Sequence, residues 1–250
     1  MKIFDKNFKE KEFYMNKITQ QFRTYYIDQP HYKYLDLLGM LYVMALLTST
    51  IAASKLIEIG PFLLSGTIIV YSVTYILSDI FTEVYGYKAS RRIIWAGMIL
   101  LILSTLIIYV VTLLPPAKVW TDEDAFQKIF GMAPIITFSV IASYFTGELV
   151  NSYTLAKLKI LMNGNFLFVR TISSTMVGVA IDSIIMFVSI AYGWSLSINE
   201  NVHFIISGWI ICVAYETFMT PITYRIVGWL KRAEGVDIYD KDTDFNPLHI

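Results

Sequence analysis

An all-α integral membrane protein with six spanning helices is the fold class this sequence predicts. Three observations predict it: apolar residues gathered in long blocks, a one-sided distribution of Lys and Arg, and prolines at the block edges. Of the 250 residues, 56% are hydrophobic and 16% charged, where soluble domains carry about 25% charged residues. Mean hydropathy is +0.55.

A spanning helix needs roughly 20 mostly apolar residues to cross about 30 Å of hydrocarbon. Six stretches qualify: 35–56, 61–81, 92–114, 134–155, 166–193 and 202–230. Pro61 and Pro134 are placed to open helices, and Pro115-Pro116 to close the third, because proline lacks an N–H and suits a first turn or a stop. Of the 20 Lys and Arg, only Lys55, Lys118 and Lys128 fall on one side of this arrangement. The positive-inside bias then puts both termini in the cytoplasm of a chain in the inner membrane. Trp120 and Trp194 fall at the outer boundary, where aromatic belts form.

The expected domain organisation is a cytoplasmic, interfacial tail over 1–34, a membrane domain over 35–230 and a cytoplasmic tail over 231–250. The first tail begins MKIFDKNFKEKEF and lacks the apolar core of a signal peptide, so the first span is expected to act as an uncleaved insertion signal. Tyr14, Ile18, Phe22 and Tyr25 form a stripe suited to a helix lying on the inner leaflet. Three helices followed by three would set the halves in opposite orientation, as in many transporters. Asp79 in the second span and Asp182 in the fifth are a faint sign of it.

Formal net charge is zero, so no global field suggests nucleic acid. Cys212 is the one cysteine, which leaves no intrachain disulfide, and His31, His203 and His249 are scattered without metal-ligand spacing. Phosphate-loop, zinc-protease, nucleophile-elbow and dinucleotide motifs are missing. The expectation is a protein that is not an enzyme and uses no metal or cofactor.

Charged side chains in the bilayer centre cost at least about 2.5–3.5 kcal/mol and mark cavities or partners. Asp79 and Glu83, four apart, share a helical face at the end of the second span. Glu148, Asn151 and Ser152 share a face in the fourth, with Ser143, Tyr144 and Thr146 nearby. In the fifth, Arg170, Ser174, Gly178 and Asp182 recur every fourth residue. Arg170 is expected to snorkel to the inner interface, and Asp182, about 18 Å further along the axis, to lie near mid-membrane. In the sixth, Glu216 precedes Pro221, which frees the carbonyl of Thr217. The predicted binding residues are Glu148, Asn151, Ser174, Asp182, Glu216, Asp79, Glu83 and Arg170, around a shared wet pocket.

The stretch Asp79-Ile80-Phe81-Thr82-Glu83-Val84-Tyr85-Gly86-Tyr87-Lys88, running into Arg91-Arg92, resembles the signature of the queuosine precursor transporters, also called putative vitamin uptake transporters. Gly147-Glu148-Leu149-Val150-Asn151-Ser152 with Lys157 and Lys159 resembles their fourth span. Arg170, Ser174-Thr175 and Asp182-Ser183 resemble their fifth. Glu216, Pro221, Tyr224, Lys231, Glu234 and Phe245-Asn246-Pro247 resemble their sixth span and tail. Ser54 and Val179 depart from the Asn and Gln expected near those positions.

The resemblance implies uptake of a 7-deazaguanine, the cyano or aminomethyl precursor of queuosine. A carboxylate can accept both N–H groups of a guanine-like edge, a charge-assisted bidentate pairing, and aromatic rings can stack on the base. Another acid could carry a proton. The expected partners are a purine-like small molecule and the lipid bilayer, with a homodimer as one assembly. The alternative reading is a substrate-binding membrane subunit that borrows an external ATPase module.

Overall fold

The computed structural model describes residues 32–131, 134–193 and 196–249. The stripe of Tyr14, Ile18, Phe22 and Tyr25, and Trp194, lie outside them. Tyr34–Ile250 forms one unit. Its elements are α1 (Leu35–Ala52), β1 (Leu56–Ile59), β2 (Phe62–Ser65), α2 (Ile68–Leu113), α3 (Glu123–Phe130), α4 (Pro134–Leu161), α5 (Leu167–Gly193) and α6 (Ile198–Glu234).

The unit is not wholly helical. The expected start of the second span is instead an antiparallel hairpin, with Leu56 opposite Ser65 and Ile59 opposite Phe62. Gly60 at φ +58° and Pro61 make its two-residue turn. Glycine is favoured at the first central position of such a turn because a side chain resists positive φ. Proline at the second spends no ladder hydrogen bond, so Pro61 closes a hairpin rather than opening a helix.

Helix α2 has 46 residues, which would reach about 69 Å if straight, over twice the hydrocarbon thickness. It is interrupted at Gly86 (φ 83°, ψ 168°), and the chain turns back there. Ser78 and Ser90 both hydrogen-bond the same hydroxyl, Ser152 Oγ, at 2.9 Å each. A straight helix would hold those two residues about 18 Å apart. Phe81 and Gly97 likewise both reach the Tyr42 ring. The expected second and third spans are thus two limbs hinged at Gly86, a position open to glycine because positive φ costs it nothing.

The remaining helices have legible causes. Ser197 and Glu200 cap α6 reciprocally: Ser197 Oγ accepts from the Glu200 N–H, and Glu200 Oε2 from the Ser197 N–H at 2.8 Å. Gly235 ends it at φ +69°, the left-handed C-terminal position glycine favours. Helix α6 continues through Pro221. Among the described residues, four helices are long and apolar enough to cross a membrane: α1, α2, residues Leu167–Phe187 of α5, and α6. Leu103, Leu106, Ile107 and Val110 of the second α2 limb are exposed, an apolar surface that suits lipid.

α4 and α5 cross closely because Gly147 and Gly178 let their backbones meet. A Cβ on Gly178 would lie 2.9 Å from the Gly147 carbonyl oxygen and 2.9 Å from Asn151 Cβ. Backbone cannot swing aside, so Gly178→Leu is expected to lose about 1–3 kcal/mol through overpacking. Gly208, with nothing within 4 Å, is the control. Thermal unfolding of the detergent-purified chain checks this: equal midpoints for Gly178→Leu and Gly208→Leu would refute the close crossing.

Candidate functional site

One face of the first α2 limb presents Tyr71, Tyr75, Asp79 and Glu83, each four residues on from the last. Asp79 and Glu83 each meet a polar side chain from another helix, whereas the Tyr75 hydroxyl is buried without a hydrogen-bond partner among the described residues. The hairpin end holds a cavity of about 140 Å³, lined in part by Ser49, Tyr71, Ser143, Tyr144, Asp182 and Cys212. Most of the wall is apolar, from Leu46, Leu64, Leu101, Val179, Met186 and Phe204. Among the described residues Asp182 is the one acid in it, with the Ser143 and Tyr71 hydroxyls beside its carboxyl group.

One turn deeper, Tyr75 sits at the α4–α5 crossing: a Cβ on Gly147 would lie 2.8 Å from its hydroxyl, and one on Gly178 3.1 Å from its ring. Below it stand Glu148, Asn151, Asp79 and Glu216, all at most 1% exposed. Asn151 Nδ2 donates to Asp79 Oδ1 at 2.7 Å. Neither oxygen of Glu148 or of Glu216 has a hydrogen-bond partner among the described residues. The Thr74 and Ser78 hydroxyls lie near Glu148, but Thr74 donates to the Tyr71 carbonyl at 2.8 Å and Ser78 pairs with Ser152. No ion pair among the described residues involves Asp79, Glu148, Asp182 or Glu216. Nor do three or more His, Cys, Asp or Glu stand together as a metal site among them.

The ladder ends in a buried ion cluster. Glu83 Oε2 accepts from Arg170 Nη1, and Oε1 from Lys231 Nζ at 2.7 Å and Arg170 Nη2 at 3.2 Å. Lys159 Nζ lies 3.7 Å from Oε1 and donates to the Glu83 carbonyl at 2.6 Å. Arg170 does not snorkel: it is 0% exposed. The loop between α4 and α5 turns through Asn163, Gly164 and Phe166 at positive φ, and presents the Gly164 and Asn165 carbonyls to its guanidinium at 3.0 Å each. Those acceptors, with Glu83, give a buried guanidinium what water would have given it.

The segment after Gly235 closes this end as a strap. Asp237 Oδ1 accepts from Lys159 at 2.6 Å and lies 2.9 Å from Lys231. Burial works to raise its pKa, but the two lysines outweigh that and hold it below the usual aspartate value. Ile238 N–H donates to the Val84 carbonyl at 3.3 Å, and Asp240 Oδ2 accepts from the Tyr87 N–H at 3.0 Å, so the strap satisfies backbone that the Gly86 turn leaves open. Arg91 donates to the carbonyls of Asp244 and Asn246, and Trp95 Nε1 to that of Pro247 at 2.8 Å.

The predicted residues therefore fall into three levels. Asp182 alone lines the cavity. Asp79, Glu148, Asn151 and Glu216 gather beneath Tyr75. Glu83 and Arg170 hold each other at the strap end. Ser174 is buried, and its hydroxyl donates to the Thr171 carbonyl at 2.9 Å. Sequence reasoning missed Tyr71 as a cavity residue, and Lys159, Lys231 and Asp237 as partners of the Glu83 cluster. The four-residue spacing of Tyr71 and Tyr75 ahead of Asp79 was the available signal.

A family model described as putative vitamin uptake transporter matches residues 65–226, a stretch that contains all eight predicted residues. No curated protein and no solved structure matches the chain.

Proposed function

Because this chain belongs to the putative vitamin uptake transporter family, we propose that it imports a queuosine precursor, a 7-cyano- or 7-aminomethyl-7-deazaguanine, across the cytoplasmic membrane. In this reading the two limbs of α2 are separate spans. With α1, α4, α5 and α6 they make six, in two three-helix halves of opposite orientation, with both termini in the cytoplasm. The hairpin then faces outward and the strap inward.

The observation that carries the reading is the cavity with the Asp182 carboxyl group in its wall. Its largely apolar wall suits a flat heterocycle, and Ser49, Tyr71, Ser143, Tyr144 and Asp182 set polar groups into that wall, the usual character of a small-molecule site. Asp182 accepts two N–H groups of the guanine-like edge, with Tyr71 and Tyr144 against the ring. Glu148 and Asn151 wait beneath Tyr75 for the same donors as the base moves inward. The ion cluster and strap keep the far end shut while the cavity is open.

Radiolabelled base uptake tests this in cells that lack their own route. Expression of the chain should restore uptake. Asp182→Asn, which keeps shape but removes the charged acceptor, should weaken it about 10–100-fold, since a hydrogen bond to a charged group contributes about 1.5–3 kcal/mol. Unchanged uptake by Asp182→Asn would reject the assignment of the base to Asp182.

A further inference from the structure

The site contains more acid than a neutral base can use. Glu148, Asn151, Asp79 and Glu216 are absent from the cavity lining, and Tyr75 separates them from Asp182 at the α4–α5 crossing. Asp79 Oδ2, Asn151 Oδ1 and both carboxyl oxygens of Glu148 and Glu216 are buried without a hydrogen-bond partner among the described residues. All six are acceptors. The Asn151 oxygen is the informative one. It belongs to a neutral amide, fully buried, that donates one of its two N–H groups to Asp79 at 2.7 Å. Its orientation adds another acceptor to the acids rather than a donor.

Buried acceptors without donors are costly, and more so when charged. A positive species or a set of protons relieves that cost. The charged and titratable neighbours of Asp79 are Glu148 of α4, Glu216 of α6 and Glu83 of its own helix. The charged residues of α5 flank this level, Asp182 on one side and Arg170 on the other. Arg170, Lys159 and Lys231 lie one turn further on, drawn to Glu83.

We infer that Asp79 and Glu216, with Asn151 holding Asp79 in place, form a proton-binding site distinct from the base cavity, and that proton entry drives import. The inference rests on the proposed transport function. A proton bound on Asp79 or Glu216 turns one acceptor into a donor to a neighbouring oxygen and removes one negative charge. Glu148 lies within electrostatic reach of both Asp79 and Asp182, so it is the relay between proton site and base.

The test uses the full-length chain in liposomes with the membrane potential clamped, and the neutral labelled cyano base as probe. With the exterior one pH unit more acid, one-to-one coupling should give about tenfold accumulation, and a pH-sensitive dye inside should report proton entry only when base is added. Asp79→Asn and Glu216→Gln should each bring the accumulation ratio to unity and abolish base-dependent proton entry. Thermal midpoints of the two variants confirm that they fold. Wild-type exchange of base with no response to the pH gradient would overturn the proton inference and leave the transport reading standing. Accumulation that follows a sodium gradient at uniform pH would also overturn it. A chain that neither binds nor exchanges base would remove the transport reading and this inference with it.

Discussion

Glu83→Ala is expected to destabilise the protein by about 3–5 kcal/mol, the cost of removing one partner from a buried ion pair. For a domain of this size that is a fall on the order of 10 °C in the thermal midpoint. Among the described residues, Glu83 is the one carboxylate that reaches Arg170, Lys159 and Lys231 together. Without it, Arg170 keeps only the Gly164 and Asn165 carbonyls, and Lys159 keeps Asp237 and two carbonyls. Lys159 and Lys231 then share Asp237 alone, and Arg170 has no carboxylate. Lys231 is partly exposed and can move toward water, whereas Arg170 has no such route. The double variant Glu83→Leu with Arg170→Met should therefore recover much of the loss, because a well-packed apolar pair can replace a buried ion pair at little cost. Midpoints of the purified single and double variants in detergent decide the matter. A Glu83→Ala variant as stable as wild type would show that the cluster does not hold the strap end together.

The long apolar helices and the polar faces were legible because they follow from one-dimensional rules: apolar block length and four-residue spacing. Asp79 and Glu83 do share a face, and Glu148 and Asn151 do meet Asp79 across a helix interface. The hairpin was misread because an apolar run cannot tell strand from buried helix by hydrophobicity alone. The punctuation was present, though: Ile59-Gly60-Pro61-Phe62 places a two-residue turn between two apolar runs. Gly86 was read only as part of a motif, yet it is the point where a limb could reverse. Arg170 was assigned to the interface from its depth in the sequence. Its burial depends on Glu83, 87 residues away, and on loop carbonyls whose direction is set by positive φ at Asn163 and Gly164. The strap could not be read at all. Asp237, Ile238 and Asp240 look like a solvated tail until the backbone groups freed at Gly86 and the buried Lys159 are seen to need partners.

Filling the cavity should remove transport while sparing the fold, and Cys212 is the position from which to do it. The residue lines the cavity with Asp182 and Tyr71, stands 3.6 Å from Ser72 Oγ and packs in the cluster of Tyr75 and Val179. A cavity of about 140 Å³ has space for an indole or for a bicyclic base, but not for both. Cys212→Trp therefore places a competitor inside the site. Forcing the base in beside it would cost about 1–3 kcal/mol of overpacking, so the apparent affinity for labelled base should fall about 10–100-fold. Phe218, on the same helix but 78% exposed, is the control: Phe218→Trp should leave uptake unchanged because its side chain faces outward. The comparison separates a blocked path from a damaged helix, since both variants add an indole to α6 and only one adds it to the cavity. A Cys212→Trp protein with wild-type stability and wild-type uptake would mean that the base travels by another route, and Asp182 would lose its claim to be the residue that receives it.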